Sequence, residues 1–328
     1  MEKLGTRDVY GQTLIKLGAE NKDIVVLDAD LSSSTRTAKF REKFPDRFFN
    51  MGVAEQDLMA TAAGLAAAGK IPFASTFAIF ATGRAWEQIR QTICLSSFNV
   101  KIVASHGGIT VGEDGATHHS TEDIGLMRII PNMTVIVPAD GYEAISALEA
   151  AAKYYGPVYM RLSREKFPVI YKEGIDFQIG KAKIHSQGTD ATIIACGIMV
   201  SLALNAQKSL KQEGIHAGVI NMSTIKPLDT KSIKNAAETT KAIVTAEEHS
   251  IIGGLGSAVA ECLGEEEPVY IERMGIKDKF GVSGKSDELM KEYNLTQEDI
   301  IRAVKNVIAK KESHINHINR KKVFIKSY

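Results

Sequence analysis

Glu55 stands near the head of an alanine-rich run, in Met51-Gly-Val-Ala-Glu-Gln-Asp57, among small and apolar neighbours. The positive end of a helix dipole favours a carboxylate in its first turn, and helix capping is the plain reading of this one. A partly buried carboxylate at a strand-to-helix turn also suits general acid–base work, because burial shifts proton affinity toward the working pH. Thr76-Phe77 and Phe80 close the next strand. Aromatics three apart share a face, so they either pack into a core or sandwich a flat ring. The segment Ser105-His-Gly-Gly-Ile-Thr-Val-Gly-Glu-Asp-Gly-Ala-Thr-His-His119 joins glycines to three histidines and two acids. Polar loops on a rigid scaffold bind ligands. A metal site at His106, His118 and His119 would need ligand spacing that is missing, with no His-x-x-x-His helix or Cys pair, so no metal ligand is assigned. Hydrogen bonding to a polyhydroxylated or phosphorylated ligand fits better. Arg164, in Met160-Arg-Leu-Ser-Arg164, follows a strand end and suits bidentate pairing with phosphate, a surface ion pair being the alternative.

The elements that must position these residues alternate between strand and helix patterns, which predicts parallel sheets covered on both faces. Ile24–Asp28, Ile71–Ser75, Val100–Ala104, Thr134–Val137 and Val158–Leu162 read as strands; Ala38–Phe44, Leu58–Ala68, Gly83–Leu95 and Gly141–Tyr154 read as helices. Periodicity fades from Pro168 to Gly188, and a second unit follows. Its strands are Ala191–Cys196, Ala217–Met222, Ala242–Ala246 and Pro268–Ile271; its helices are Val200–Gln212, Thr230–Glu238, Gly256–Leu263 and Thr296–Lys310. Open parallel sheets bind ligands beyond the carboxyl ends of their strands. Asp28-Ala-Asp30, Gly52 to Glu55 and Ser105-His106 all fall there, which predicts one shared site. Gly253-Gly-Leu-Gly-Ser257 lacks the spacing of a dinucleotide fingerprint and reads as a tight helix entry.

The bulk numbers bound the function. The chain has 328 residues, 44% hydrophobic and 24% charged, with 40 basic and 39 acidic side chains. A formal charge of +1 provides no field for nucleic acid or an anionic membrane. Only Asn319 to Tyr328 is locally basic, a solvated or partner-docked tail. Three scattered cysteines fit core positions in a reducing compartment. No apolar signal core opens the chain and no apolar run reaches the roughly 20 residues of a span, so a cytoplasmic protein is expected.

Together, Gly-Val-Ala-Glu55-Gln, Thr76-Phe77-x-x-Phe80 and Gly112-Glu-Asp-Gly-Ala-Thr-His118 resemble the carboxyl-terminal half of transketolases. Thr224-Ile-Lys-Pro-Leu-Asp229 and Glu247-Glu-His249-x-x-x-Gly-Gly-x-Gly256 extend the likeness over nearly the whole chain. The resemblance implies an α/β protein of two doubly wound parallel-sheet domains: a pyrimidine-binding domain over 1–172, a linker over 173–189, a transketolase carboxyl-terminal domain over 190–312 and a basic tail over 313–328. It implies that Glu55 hydrogen-bonds the aminopyrimidine nitrogen of thiamine diphosphate, favouring the tautomer that removes the thiazolium proton, with His118 as a second catalytic residue. Phe77 and Phe80 match the pocket around the pyrimidine, and Asp30 matches a cofactor-proximal acid. Asp114 and His118 match contacts to sugar hydroxyls; His106, Arg164, Arg7 and Ser34 match contacts to the phosphate end.

This sequence departs from the family pattern in four respects. Gly83 replaces a third pocket aromatic, so that wall is thinner or filled from elsewhere. Ala116 stands where proline is usual, and Ala-Glu-Gln, in place of Arg-Glu-His, is closer to deoxyxylulose-phosphate synthases. The Gly-Asp-Gly…Asn motif that holds Mg²⁺ and the diphosphate is missing. The resemblance therefore implies a split transketolase: this chain homodimerises through its own domains and meets an amino-terminal partner subunit that carries Mg²⁺, as an α2β2 heterotetramer acting on phosphorylated sugars. The rival readings are a deoxyxylulose-phosphate-synthase-like or 2-oxo acid dehydrogenase β-type subunit, and a non-catalytic assembly subunit. The polyol-binding loop argues against an oxo acid enzyme; retention of Glu55, Asp114 and His118 argues against a bystander.

Overall fold

The computed structural model describes residues 2–325, with side chains described as far as residue 313. The first sheet runs, in spatial order, Thr224–Lys226, Thr134–Ile136, Val158–Arg161, Lys101–Ala104, Ile71–Ser75, Ile24–Asp28 and Phe48–Asn50. All neighbours are parallel except Thr224–Lys226, which pairs antiparallel with Thr134–Ile136. The inner strands Val158–Arg161, Lys101–Ala104, Ile71–Ser75 and Ile24–Asp28 are buried on both faces, as near-continuous apolar runs require. On one face, Thr6–Glu20 and Gly141–Lys153 pack against each other and bury Leu14, Phe40, Ala147 and Leu148. On the other, Glu55–Ala67 presents Leu58, Met59, Ala62 and Ala63.

The second sheet runs Tyr270–Ile276, Ala242–Ser250, Ala191–Ala195, Ala217–Asn221 and Lys183–Ser186, the last antiparallel. Each parallel sheet therefore carries one antiparallel edge. Lys183–Ser186 lies inside the stretch expected to be linker, and Thr224–Lys226 belongs by sequence to the second domain but completes the first sheet. Short edge strands take their pairing from whatever edge lies beside them, so three or four residues gave too little period to read. Lys3–Gly5 and Lys166–Pro168 form a separate antiparallel ribbon. One apolar cluster runs between the domains, joining Leu58, Ala104 and Tyr159 to Ile194, Ile220 and Leu255.

The expected helix Gly83–Leu95 is instead two π-helical turns, Phe80–Arg84 and Ile89–Cys94, around one α turn at Trp86–Gln88. Thr82 and Thr92 donate their hydroxyls to the carbonyls of Ala78 and Gln88, four residues back, a bond that loosens and bends a helix. Ala242–Ser250 is longer than expected and carries Glu247, Glu248 and His249 into the interior. The last helix is Gln297–Ile325, longer than the expected Thr296–Lys310 and running into the stretch expected to be a tail; residues 326–328 lie outside the described residues.

Glu143, in the first turn of Gly141–Lys153, locks the two domains. Its Oε1 accepts from Ser223 Oγ at 2.6 Å and Asn221 Nδ2 at 2.9 Å, and its Oε2 accepts from the Ala139 amide at 2.6 Å. Beside it, Asp140 caps the helix through Glu143 N and holds the amides of Ile170 and Tyr171 at 2.8 Å. Burial outweighs these donors and raises the Glu143 carboxyl from its ordinary 4.5 to about 6. The native state thus holds this proton to higher pH than the unfolded chain. The resulting stability is present below about pH 4.5 and is lost as pH rises through 6. Glu143→Gln places an amide against donors and is expected to destabilise the fold by about 1–3 kcal/mol at pH 7.5. At pH 5 the gap to wild type should widen by about 1 kcal/mol, since only the wild type gains a proton. Urea unfolding at both pH values measures this; a gap that narrows on acidification would refute it.

Candidate active site

The loops at the carboxyl ends of the first sheet converge. Asp28, fully buried at the end of its strand, accepts from the Leu31 amide at 2.6 Å and from the hydroxyls of Thr35 and Thr37 at 2.7 and 2.8 Å. Burial raises its carboxyl nonetheless. These bonds hold the short helix Ser32–Thr35. Beyond the next strand, Phe77 bridges Ser105 in parallel register, with Ser105 N donating to Thr76 O and Ala78 N to Ser105 O. The sheet is in effect extended, and the extension brings Phe77 against His106, ring centroids 3.7 Å apart and stacked.

Phe77 and Phe80 stack on each other at 5.7 Å, at an angle of 19°. Sandwiching a third ring needs roughly 7 Å, twice the ordinary carbon contact, so these aromatics form one wall and not two jaws. His118 meets Phe80 edge-on at 5.4 Å. At the other end of the wall, Arg84 lies over Phe80 at 4.1 Å and donates Nη1 to Glu55 Oε1 at 2.9 Å. Glu55 is 5% exposed at the start of its helix, and Oε2 makes no hydrogen bond among the described residues. A free carboxylate oxygen beside an aromatic wall fits a flat heterocycle that offers an N–H donor.

His106 has a left-handed backbone, φ +62°. Gly107 and Gly108 follow because a Cβ at the first would lie 2.1 Å from Arg161 Nε and at the second 2.1 Å from Glu248 Oε1. Arg7 donates Nη1 to Ser34 O at 3.1 Å and to His106 Nε2 at 3.3 Å. With Nε2 accepting, Nδ1 carries the proton and donates to Ser105 Oγ at 2.8 Å. Burial, then Arg7 and Arg164, push the His106 imidazole down to about 3, so it is neutral at physiological pH. Burial and Arg36 likewise lower Arg7. Arg164 donates to Val111 O and pairs with Asp114 at 3.4 Å. Arg7, Arg164 and His106 thus make a cationic and hydrogen-bonding lane beside the aromatic wall.

Of the expected site residues, Glu55, Phe77, Phe80, His106 and His118 join one contact network, and Arg7, Ser34, Asp114 and Arg164 border it. Ser34 contributes its carbonyl to Arg7. Asp30 pairs with Asn50 Nδ2 at 2.8 Å and bonds to none of the others. The three histidines do not converge: His106 is engaged at both nitrogens, His118 Nδ1 meets Thr117 Oγ1, and His119 Nε2 donates to Gly112 O. Among the described residues, no group of three His, Cys, Asp or Glu is placed to hold a metal ion.

Sequence reasoning missed Arg84, although its neighbour Gly83 was singled out. It also missed the buried clamp of Arg161, Asp123 and Glu248. Glu248 Oε1 accepts from Thr110 N at 2.6 Å, and His249 Nε2 accepts from Gly125 N at 3.2 Å. The Glu-Glu-His motif of the second domain therefore braces the loop of the first.

The architecture is that of a two-domain α/β enzyme half, with a site at the carboxyl edge of its first sheet. Residues 2–169 match the family model described as transketolase, pyrimidine binding domain, and residues 180–300 match transketolase, C-terminal domain. This chain belongs to the transketolase family, whose members depend on thiamine diphosphate. A protein of Methanocaldococcus jannaschii described as a transketolase C-terminal section is 52% identical over 92% of this chain and 95% of its own length. A 6-deoxy-6-sulfo-D-fructose transketolase subunit of a Clostridium species is 42% identical over 95% of this chain and 97% of its own length. Human transketolase is 38% identical over 94% of this chain, which spans 50% of the human protein. Among solved structures, a split-gene transketolase described as an inactive β4 tetramer superposes with a TM-score of 0.88 at 50% identity, covering 93% of this chain and 99% of that one. Transketolase of Pichia stipitis in complex with sedoheptulose 7-phosphate gives 0.79 at 27% identity, over 95% of this chain and 47% of that one.

The neutral state of His106 is directly measurable. Long-range ¹H–¹⁵N spectra, assigned through His106→Asn, should show the Nδ1–H tautomer unchanged from pH 5 to 8. A titration midpoint near 6.5 would show that burial and the arginines do not hold the ring neutral.

Proposed function

We propose that this chain is the carboxyl-terminal subunit of a two-subunit transketolase, moving a two-carbon ketol unit from a ketose phosphate to an aldose phosphate. The observation that carries this reading is the continuity of the site. A free carboxylate oxygen on Glu55 and the Phe77–Phe80 wall lead without a break, through His118 and His106, to Arg7 and Arg164.

Thiamine diphosphate, when bound, supplies a nucleophilic carbon and stores the electron pair of the transferred unit. This chain's residues do the rest. Glu55, with Oε2 free, would hold the pyrimidine ring by accepting an N–H, which would favour a proton on that ring nitrogen. Phe77 and Phe80 offer an apolar face that excludes water and orients the ring. Asp114 and His118 bond sugar hydroxyls; neutral His106 donates or accepts hydrogen bonds but delivers no proton at pH 7. Arg7 and Arg164 take the phosphate, with Ser34 at the edge of that lane and Asp30 on the cofactor side. Mg²⁺ and the diphosphate are held by the amino-terminal partner, because the sequence has no Gly-Asp-Gly motif. The assembly is α2β2, with this chain pairing through its own domains.

Relatives that act on a sulfo-sugar and on apulose 4-phosphate support a site whose anionic end is served by arginines and whose sugar specificity differs between members. The chain alone should show no ketol transfer, and the amino-terminal partner with Mg²⁺ and thiamine diphosphate should restore it. Within that complex, Glu55→Gln should lower kcat by about 10²-fold or more with melting temperature unchanged. Robust transfer by the chain alone, or a Glu55→Gln complex of normal rate, would defeat the assignment.

A further inference from the structure

The proposed chemistry depends on Glu55, yet the start of its helix does little to hold the side chain. Ala54 precedes it, and no side-chain cap bonds there. The restraint comes from the π-helical turn Phe80–Arg84, across the mouth of the site. We propose that Arg84 is a positioning residue: it grips Glu55 Oε1 while lying over Phe80, leaving Oε2 as the single acceptor for a ring nitrogen on the aromatic wall. This rests on the function proposed above.

Four observations converge. Arg84 Nη1 is 2.9 Å from Glu55 Oε1, and its guanidinium carbon is 4.1 Å from the centre of the Phe80 ring, so one planar group touches both partners. Glu55 is buried to 5% exposure while the Arg84 side chain is 52% exposed, so the arginine covers the carboxylate from the solvent side. The backbone is fastened as well: Gln56 Nε2, next to Glu55, donates to Arg84 O at 3.2 Å. Finally, a Cβ on Gly83 would meet nothing within 4 Å, so the space beside the wall is not filled by residue 83.

The chemistry explains the residue type. A carboxylate offers lone pairs on two oxygens, and a donor on one of them fixes the plane and direction of the other. Guanidinium is flat, so it can bond a carboxylate and lie on an aromatic face at once; an ammonium can bond the carboxylate or sit over a ring but has no plane to lay on it. A loosely held Glu55 would still bind the ring but would spend less time in the productive geometry, and small misplacements of a catalytic group cost up to about a hundredfold in rate. The loss should fall on kcat more than on substrate affinity.

The test uses the chain assembled with its amino-terminal partner, Mg²⁺ and thiamine diphosphate, with Glu55→Gln as control. Arg84→Met should lower kcat by about 10- to 100-fold, with KM for the ketose phosphate changed by less than about threefold. Calorimetric titration of the cofactor-free complex, in Mg²⁺, with thiamine diphosphate should show affinity weakened by less than about tenfold, less than the loss in kcat. Arg84→Lys, which keeps the cation and loses the stacked plane, should recover part of the rate. If Arg84→Met turns over normally while Glu55→Gln is inactive, Glu55 needs no such partner and the proposal fails alone. If Glu55→Gln is itself active, the functional reading fails first. If the Met and Lys variants lose activity equally and melt earlier than wild type, Arg84 is only structural and the proposal is overturned. Arg84→Gln, shorter but still a donor, replaces Met should Met prevent folding.

Discussion

The polar loop of the site depends on one buried arginine. Arg161 ends a central strand of the first sheet and is 6% exposed. Its Nε lies 3.1 Å from Asp123 Oδ2, a contact set by charge because the N–H is not aimed at the oxygen. Its Nη2 donates to the carbonyls of Ser120 at 3.2 Å and Glu248 at 2.8 Å. Burial disfavours the cation, but Asp123 and Glu248 outweigh it and hold the guanidinium above its ordinary proton affinity. Such a charge is tolerable only while its partners stay in place, because a buried ion left unpaired costs several kcal/mol. The same side chain forbids a Cβ at Gly107. One residue thereby fixes the polar loop at its start and end and ties it to the second domain.

That tie explains why two domains share one site. Glu248 reaches back to Thr110, His249 to Gly125, and Glu143 forward to Asn221 and Ser223. With Thr224–Lys226 completing the first sheet, the domains cannot separate without breaking buried hydrogen bonds. Glu247 is held within its own domain by the amides of Leu255 and Gly256, both at 2.7 Å, at the entry of the glycine-rich helix. The second domain therefore works as a brace, and the side chains that line the site come from the first.

Much of this was legible in the chain. Long apolar runs such as Ile24–Asp28 and Ala191–Ala195 declare buried parallel strands because both their faces must be apolar, and the placement of polar clusters after strands follows from that geometry. Residue type marked Glu55, the two phenylalanines and the histidine loop as candidates, and the likeness to transketolases gave them their expected roles. The short edge strands were not legible, since their partners are chosen by tertiary proximity. The broken helix around Phe80–Cys94 was not either: Gly83 to Leu95 has an ordinary helical period, and only the hydroxyl back-bonds and local packing favour the wider turns.

By itself the sequence determined the two-domain plan and the set of chemically capable residues, because residue type and spacing are local properties, and its motifs pointed to the class of protein through their likeness to transketolases. Only the tertiary structure decided how those residues meet. It made Phe77 and Phe80 a wall and not a clamp, kept His106 neutral by burying it beside Arg7, set Asp30 apart with Asn50, and put Arg84 on Glu55. These outcomes depend on distances of a few ångströms between segments far apart in the chain, and on how far water is excluded from each group. Neither quantity is written in the order of the residues.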